Sequence, residues 1–288
     1  MQTLTPARLK EYRSLTYYTH SGLQLHSVED AVAFVNQRGF VFFWPVKNVE
    51  LPSLWAAASG DRPVPDEHDD PGHVTWDWKD SSLGKQCWYY ARILRRRNTF
   101  ISLDTLPYFY ALSPNYGEPE IDYLDQYEEG LMTAESRAIF EALLNQGPLD
   151  TLALRRAAHM TGSSNNTRFS RALDDLQIEF RVLPVGISSA GSWHYAFIYD
   201  LTHRHMPELI EKARPISEAQ ARQKLIEVYL KSIGAAQPYQ LSLLFGWKNE
   251  LIQSTLQALR NTKRIAMDVG IEGQGGGWIA IPDIFDGV

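Results

Sequence analysis

The sequence predicts a helix-rich α+β chain of tandem winged helix-turn-helix domains, two of them clear and a third, degenerate one at the N-terminus. Three observations predict it. Residues Thr133 to Tyr199 read as three helices followed by two strands around a wing-sized loop. The same pattern recurs downstream, with Leu173 and Leu176 returning at one shared offset as Leu256 and Leu259, and Val185-Gly186-Ile187 returning as Val269-Gly270-Ile271. Trp193 after the first wing likewise matches Trp278 after the second. Third, the N-terminal part carries two helical stretches followed by the continuous apolar run Phe40 to Trp44. The boundaries that follow are 1–130 for the N-terminal region with its aromatic-rich insertion, 131–212 for one winged helix and 213–288 for the other.

In chain order, Pro6 to Ser21 reads as a helix with Leu9, Tyr12, Leu15 and Thr16 inward. Val28 to Gln37 is a second, capped by Ser27, with Glu29 and Asp30 in its first turn and Gly39 as its stop. Pro45 breaks the apolar run, Ser53 to Ala58 starts another helical patch, and Ser59 to Gly72 is a loop rich in Pro, Asp and Gly. Lys85 to Arg97 reads as an amphipathic helix with Trp88, Ala91 and Leu94 inward and Arg92, Arg95 and Arg96 outward. Ile101 to Tyr110 is an aromatic cluster, and Pro114 to Pro119 with the acidic run after it is a linker. Thr133 caps the helix to Asn145, Asp150 caps a short second helix, and Asn165 to Gln177 is the third, with Phe169, Leu173 and Leu176 inward. The strands Phe180 to Val185 and Trp193 to Tyr199 follow. In the second unit the helices are Glu218 to Ile233, Tyr239 to Phe245 and Trp247 to Arg260, with the Gly-rich Glu272 to Gly277 as the wing.

Composition bounds the function. At 288 residues the chain can bury a core without a metal or disulfide staple, and a single cysteine, Cys87, rules out an intramolecular disulfide. No run approaches the roughly 18 apolar residues of a membrane span, and no secretory leader is visible, which places the protein in the cytoplasm. The net charge of −6 runs against a general affinity for phosphate, but Arg92 to Arg97 and Arg155 to Arg171 are locally basic.

The third helix of a winged helix is where such a domain meets the major groove. The candidate DNA contacts are therefore Asn165, Asn166, Arg168 and Arg171 in the first unit and Lys248, Asn249 and Gln253 in the second. Arg92, Arg95, Arg96 and Arg97 join them, as phosphate contacts beside aromatics able to stack on an unpaired base. Solvated helix faces over a packed core are the alternative for every one of these. His68, Asp69, Asp70, His73 and Asp77 hold metal-ligand side chains without a fixed geometry, and the reading is an acidic loop with no metal. His203 and His205 read as surface histidines. Gly270 to Gly275 lies in a hairpin and is no dinucleotide loop. No Gly-x-Ser-x-Gly elbow is present.

Gly147-Pro148-Leu149, Arg171-Ala172-Leu173-Asp174-Asp175-Leu176-Gln177, Val185-Gly186, Tyr229-Leu230 and Ile233-Gly234-Ala235-Ala236 together resemble the tandem winged-helix DNA glycosylases of the AlkZ and YcaQ type. The resemblance runs from about Thr133 to the C-terminus. It implies three winged helices, double-stranded and damaged DNA as the partner, no metal or cofactor, and base excision or crosslink unhooking through a Gln-x-Gln or Gln-x-Asp motif that positions a water. Phe42 and Trp44 stand where that polar pair would be, and neither side chain can hold a water as an acceptor or act as a base. Three functions stay open. One is a DNA-binding relative without glycosylase activity; another is a base-excising enzyme using other groups, such as Asp77, Asp80 or Lys85. The third is a non-enzymatic interaction or ligand module with a pocket among Trp76, Trp78 and Tyr108.

Overall fold

A computed structural model of the chain describes residues 2–65, 70–115, 117–191 and 194–286. It is mixed α+β with helices predominating, and one series of elements occurs three times: helix, short strand, helix, helix, two-stranded hairpin. After β1 (Thr3–Leu4) and α1 (Pro6–Thr16), the first repeat comprises α2 (Val28–Arg38), β2 (Phe40–Phe42), α3 (Leu54–Ser59), α4 (Val74–Ser82), β3 (Tyr89–Arg92) and β4 (Asn98–Ile101). Helices α5 (Leu106–Tyr110) and α6 (Pro119–Glu128) lead to the second repeat: α7 (Ala134–Gln146), β5 (Leu149–Asp150), α8 (Thr151–Ala157), α9 (Asn166–Ile178), β6 (Val182–Ser188) and β7 (Ala196–Leu201). Helices α10 (Thr202–His205) and α11 (Leu209–Ala213) lead to the third: α12 (Glu218–Ile233), β8 (Ala235–Ala236), α13 (Pro238–Phe245), α14 (Asn249–Asn261), β9 (Ala266–Ile271) and β10 (Gln274–Ala280). The sheets share one order, β2-β4-β3, β5-β7-β6 and β8-β10-β9, and the last is extended by β1 beside β9. That added pairing is parallel, with Thr3 opposite Gly270 and Leu4 opposite Ile271.

Local chemistry sets these elements. Ser27 with Asp30 and Ser217 with Gln220 form capping boxes on α2 and α12, and the Asp150 carboxylate accepts from the Leu152 and Ala153 amides at the start of α8. Gly39 and Gly234 end the first helix of the first and third repeats with φ of 79° and 78° and turn the chain into its first strand. Neither tolerates a side chain: a Cβ on Gly39 would lie 2.4 Å from Val228 Cγ1, and one on Gly234 would lie 2.6 Å from Ile284 Cδ1.

The second repeat packs its own core around Ile139, Phe140, Leu143, Phe169, Leu173 and Leu176. The first and third share one, and the β2-β4-β3 sheet is buried on both faces. Phe40, Phe42, Tyr89, Ala91 and Ile101 point into a core with Leu225, Tyr229, Leu241 and Leu256. The alternate residues Val41, Phe43, Trp88, Tyr90 and Phe100 point into another with Phe34, Val35 and Leu54.

That double burial corrects the sequence reading of Lys85 to Arg97 as a helix. Tyr89–Arg92 is a strand paired with Asn98–Ile101, and Arg95 and Arg96 occupy its turn. A strand apolar on both faces carries no alternation, so Trp88, Ala91 and Leu94 fell at helical spacing without forming a helical stripe. The Gly-rich stretch expected as the second wing's loop is largely strand, since β10 begins at Gln274. The first helix stops at Thr16, five residues before its expected end at Ser21. Trp193, matched by sequence to Trp278, lies outside the described residues, as do His68 and Asp69. Asp70, from the same loop, accepts two hydrogen bonds from Arg62 at 2.6 and 2.8 Å, which hold its carboxyl down at about 2. Among the described residues no group of three or more His, Cys, Asp and Glu side chains could hold a metal, and no helix is long and apolar enough to cross a membrane.

His203 and His205 are partly buried, not free surface histidines. Burial lowers both below the ordinary histidine value, against the opposing pull of Glu120 and Asp200 on His203 and of Asp200 on His205. A depressed folded-state value means that the unfolded chain takes up protons first, so this share of stability is full above about pH 6.5 and is lost as pH falls. Denaturant midpoints are therefore expected to drop between pH 7.5 and 5.5, and to drop less in a His203→Gln/His205→Gln variant. An equal drop in both proteins would assign the effect elsewhere.

Candidate nucleic-acid interface

The hairpin between β3 and β4 turns through Arg95 and Arg96, both in the left-handed region with φ of 56° and 55°. Its base is fixed to α9. The Arg92 amide donates to Gln177 Oε1 at 3.1 Å, the Arg92 guanidinium donates to the Asp174 carboxylate at 3.1 and 3.3 Å, and Arg96 donates to Asp175 at 2.7 Å. Half-burial raises the Asp174 carboxyl above its ordinary value, opposed by Arg92. Asp174, Asp175 and Gln177 thus mount the first repeat's hairpin on the second repeat's third helix.

This mounting puts Arg96 on the rim of three hollows. One, of about 570 Å³, is lined by Asn166, Thr167, Ser170 and Arg171 at the start of α9, together with Arg96 and Asp174. A second, of about 400 Å³, brings Arg92, Arg96 and Arg97 opposite Trp44 and Lys47. The third, of about 350 Å³, lies between Arg95 and Arg96 on one side and Trp247, the residue before Lys248, on the other. Three stretches that are far apart in sequence, the hairpin tip, the start of α9 and the turn before α14, therefore border one surface.

Within it the side chains differ in availability. Arg92 and Arg96 are ion-paired to Asp174 and Asp175, and the largely exposed Arg168 pairs with Glu135 at 3.6 Å. Asn166 accepts a hydrogen bond from Arg155 at 2.6 Å, and Asn165 sits at the N-cap of α9 with no capping bond from its side chain. Arg95, Arg97, Arg171, Lys47 and Lys248 make no ion pair among the described residues. Lys248, Asn249 and Gln253 are exposed at the start of α14, with Gln253 donating to Asn249 at 3.5 Å. Lys47 and Trp44 are contributions that sequence reasoning missed. Only the hairpin pairing, which no local pattern encodes, brings them to this surface.

Phe42 and Trp44 sit differently although they are two residues apart. Phe42 is 0% exposed inside the core shared with the third repeat. Trp44 is 37% exposed at the edge of the second hollow, with its ring 5.1 Å from Phe43 and 5.5 Å from Trp76. Behind Trp76 lies Lys79, whose side chain is 1% exposed although it sits on the first repeat's third helix. Its ammonium donates to Asp80 Oδ1 at 2.5 Å and to the Tyr195 hydroxyl at 2.8 Å, and Tyr195 donates to the same Asp80 oxygen at 2.9 Å. The rings of Trp76 and Phe197 each lie 4.7 Å from it. Burial pushes Lys79 below the ordinary lysine value, with Asp80 opposing. One face of the first repeat's third helix is thus covered by the second repeat's hairpin. Of the groups considered for catalysis, Asp80 is taken up in this cluster, while Asp77 and Lys85 are exposed. Trp76 and Trp78 pack with the core around Phe34, Val35 and Leu54, and Tyr108 with the core shared by the first and third repeats, so these three rings do not share a pocket.

A family model described as AlkZ related matches residues 25–246 of the chain. A search of the curated proteins finds no match. Among solved structures, the Streptomyces sahachiroi DNA glycosylase AlkZ is similar with a TM-score of 0.63 at 10% sequence identity, over 99% of this chain and 72% of that one. At that identity the likeness is one of fold.

Proposed function

Because the chain belongs to the AlkZ-related family, we infer that it is a duplex-DNA-binding protein of three winged helices in which the family's hydrolytic position has been given over to aromatic side chains. The observation that carries this reading is the convergence on Arg96 of the start of α9, the turn before α14 and a hairpin tip, with unpaired Arg95, Arg97, Arg171 and Lys47 around it. In a chain of net charge −6, a local basic face is what phosphate contact requires. The helix, strand, helix, helix, hairpin series with its shared sheet order supports three winged helices, and the likeness to a DNA glycosylase supports damaged duplex as the partner. Asn166, Asn249 and Gln253 are suited to base edges, Arg171 and Lys248 to phosphates. The first repeat contributes through its hairpin, because its third helix is covered at Lys79.

Excision through the positions of the polar pair is absent in this reading. Phe42 has no access to solvent, and Trp44 offers a flat face and no acceptor for a water. Removing two of the phosphate contacts, in Arg97→Gln/Arg171→Gln, should lower the slope of log K against log salt by about two and weaken plain and alkylated duplex alike. The test is duplex binding of wild type and variant across salt concentrations, with released base assayed in the same tubes. A slope unchanged by the substitutions sinks the proposed face. Free alkylated base in those tubes would make the protein a glycosylase with a different catalytic group.

A further inference from the structure

The third hollow is not explained by groove binding alone. It is floored by Phe109 and Phe180, which are 6% and 5% exposed, and walled by Trp247. Trp247 lies parallel on Phe245 with centroids 4.3 Å apart and an interplanar angle of 11°. Phe245 is in turn 6.5 Å from Phe109, and Phe109 is 6.1 Å from Phe180. One face of the indole is therefore backed by a packed aromatic chain, and no other ring stacks on it among the described residues. Charge is confined to the rim. Arg95 makes no ion pair there, Arg96 is held by Asp175, and the Glu179 carboxylate is occupied by Arg181 at 3.1 Å. Ser113 accepts from the Asn115 amide nitrogens. Few polar groups remain to read a base edge, whereas a rigid aromatic face with a cation beside it fits a planar ring that carries a phosphate.

We propose that this hollow receives one unpaired base of the bound DNA, stacked on Trp247 without sequence preference, with its phosphate met by Arg95. The proposal rests on the duplex-binding reading and adds a site away from Phe42 and Trp44. The volume of about 350 Å³ falls in the ordinary small-ligand range of roughly 300–1,000 Å³. The occupant is a strand base and not a free nucleotide because the hollow opens between Arg96, which also borders the start of α9, and Trp247, which directly precedes the N-cap of α14. A duplex lying on those helices would present its bases at this mouth.

The probe is a duplex carrying one 2-aminopurine opposite an abasic position, read by its own emission for stacking and by end-label anisotropy for binding. With wild-type protein the emission should fall several-fold at saturation. Trp247→Ala should restore it and weaken this duplex about tenfold or more while changing a fully paired duplex less than about twofold; Trp247→Phe should keep most of the quenching. Arg95→Ala, at an exposed position, should weaken the unpaired-base duplex more than the fully paired one without touching the core. Saturated binding with undiminished emission, or quenching unchanged in Trp247→Ala, overturns the pocket alone. Failure to bind either duplex at any salt overturns the duplex reading and the pocket with it. Adenosine monophosphate that relieves the quenching as well as an equimolar unlabelled strand overturns the strand as occupant.

Discussion

Lys79→Ala is expected to lower the unfolding free energy by about 3–5 kcal/mol, the range for breaking a buried charge pair by removing one partner. The substitution leaves Asp80 with only the Tyr195 hydroxyl and opens a void beside Trp76 and Phe197. Lys79→Met should recover much of the loss because it refills that space, and Lys79→Met/Asp80→Asn should recover more by removing the uncompensated carboxylate. Chemical denaturation of the three variants measures the series. A loss under about 1 kcal/mol for Lys79→Ala would mean that the ammonium does not hold the junction. The same cluster joins α4 to the second repeat's hairpin, so duplex affinity should fall with Lys79→Ala even at temperatures where the protein stays folded.

Phe42→Gln should be at least as damaging, at about 4 kcal/mol or more, and Trp44→Gln nearly silent, at about 1 kcal/mol or less. Phe42 is fully buried, and its backbone amide already donates to Pro52 at 3.0 Å. A glutamine there would lose the ring's packing and also bury an amide with no partner. Trp44 faces the hollow, where an amide stays hydrated. Rebuilding the family's polar pair in this chain is therefore expected to unfold it and not to confer excision, which thermal melts and a base-release assay on Phe42→Gln/Trp44→Gln would check. A stably folded, base-releasing double variant would refute the view that the core has closed over this position.

The sequence carried the second and third repeats because their signals are local. Asp150, Ser217 and Gly234 punctuate helices, and Leu173, Leu176, Leu256 and Leu259 keep helical spacing on faces buried from one side only. The segments behind the family resemblance also acquire a physical meaning. Asp174, Asp175 and Gln177 mount the hairpin, and Gly234 sits where a Cβ would meet Ile284. The first repeat read only as a degenerate one because its sheet is buried on both faces and its third helix is separated from the second by the long segment 60–73. The candidate contacts were chosen by residue type, and their pairing was not legible. Arg92 and Arg96 look free in a run of arginines, and only the fold brings Asp174 and Asp175 against them.

The strand Thr3–Leu4, paired with β9, gives the molecule an unusual order of assembly. The amides of Gly270 and Glu272 donate to the carbonyls of Gln2 and Leu4, and Arg8 reaches the Asp286 carbonyl across 278 positions of chain. The second repeat has its own core and the first and third close one between them, but this seam demands the longest loop closure in the molecule. It is therefore expected to form after the bodies it ties together and to open before them. Exchange at the Gly270 and Glu272 amides, faster than at core amides of α12, would check that order.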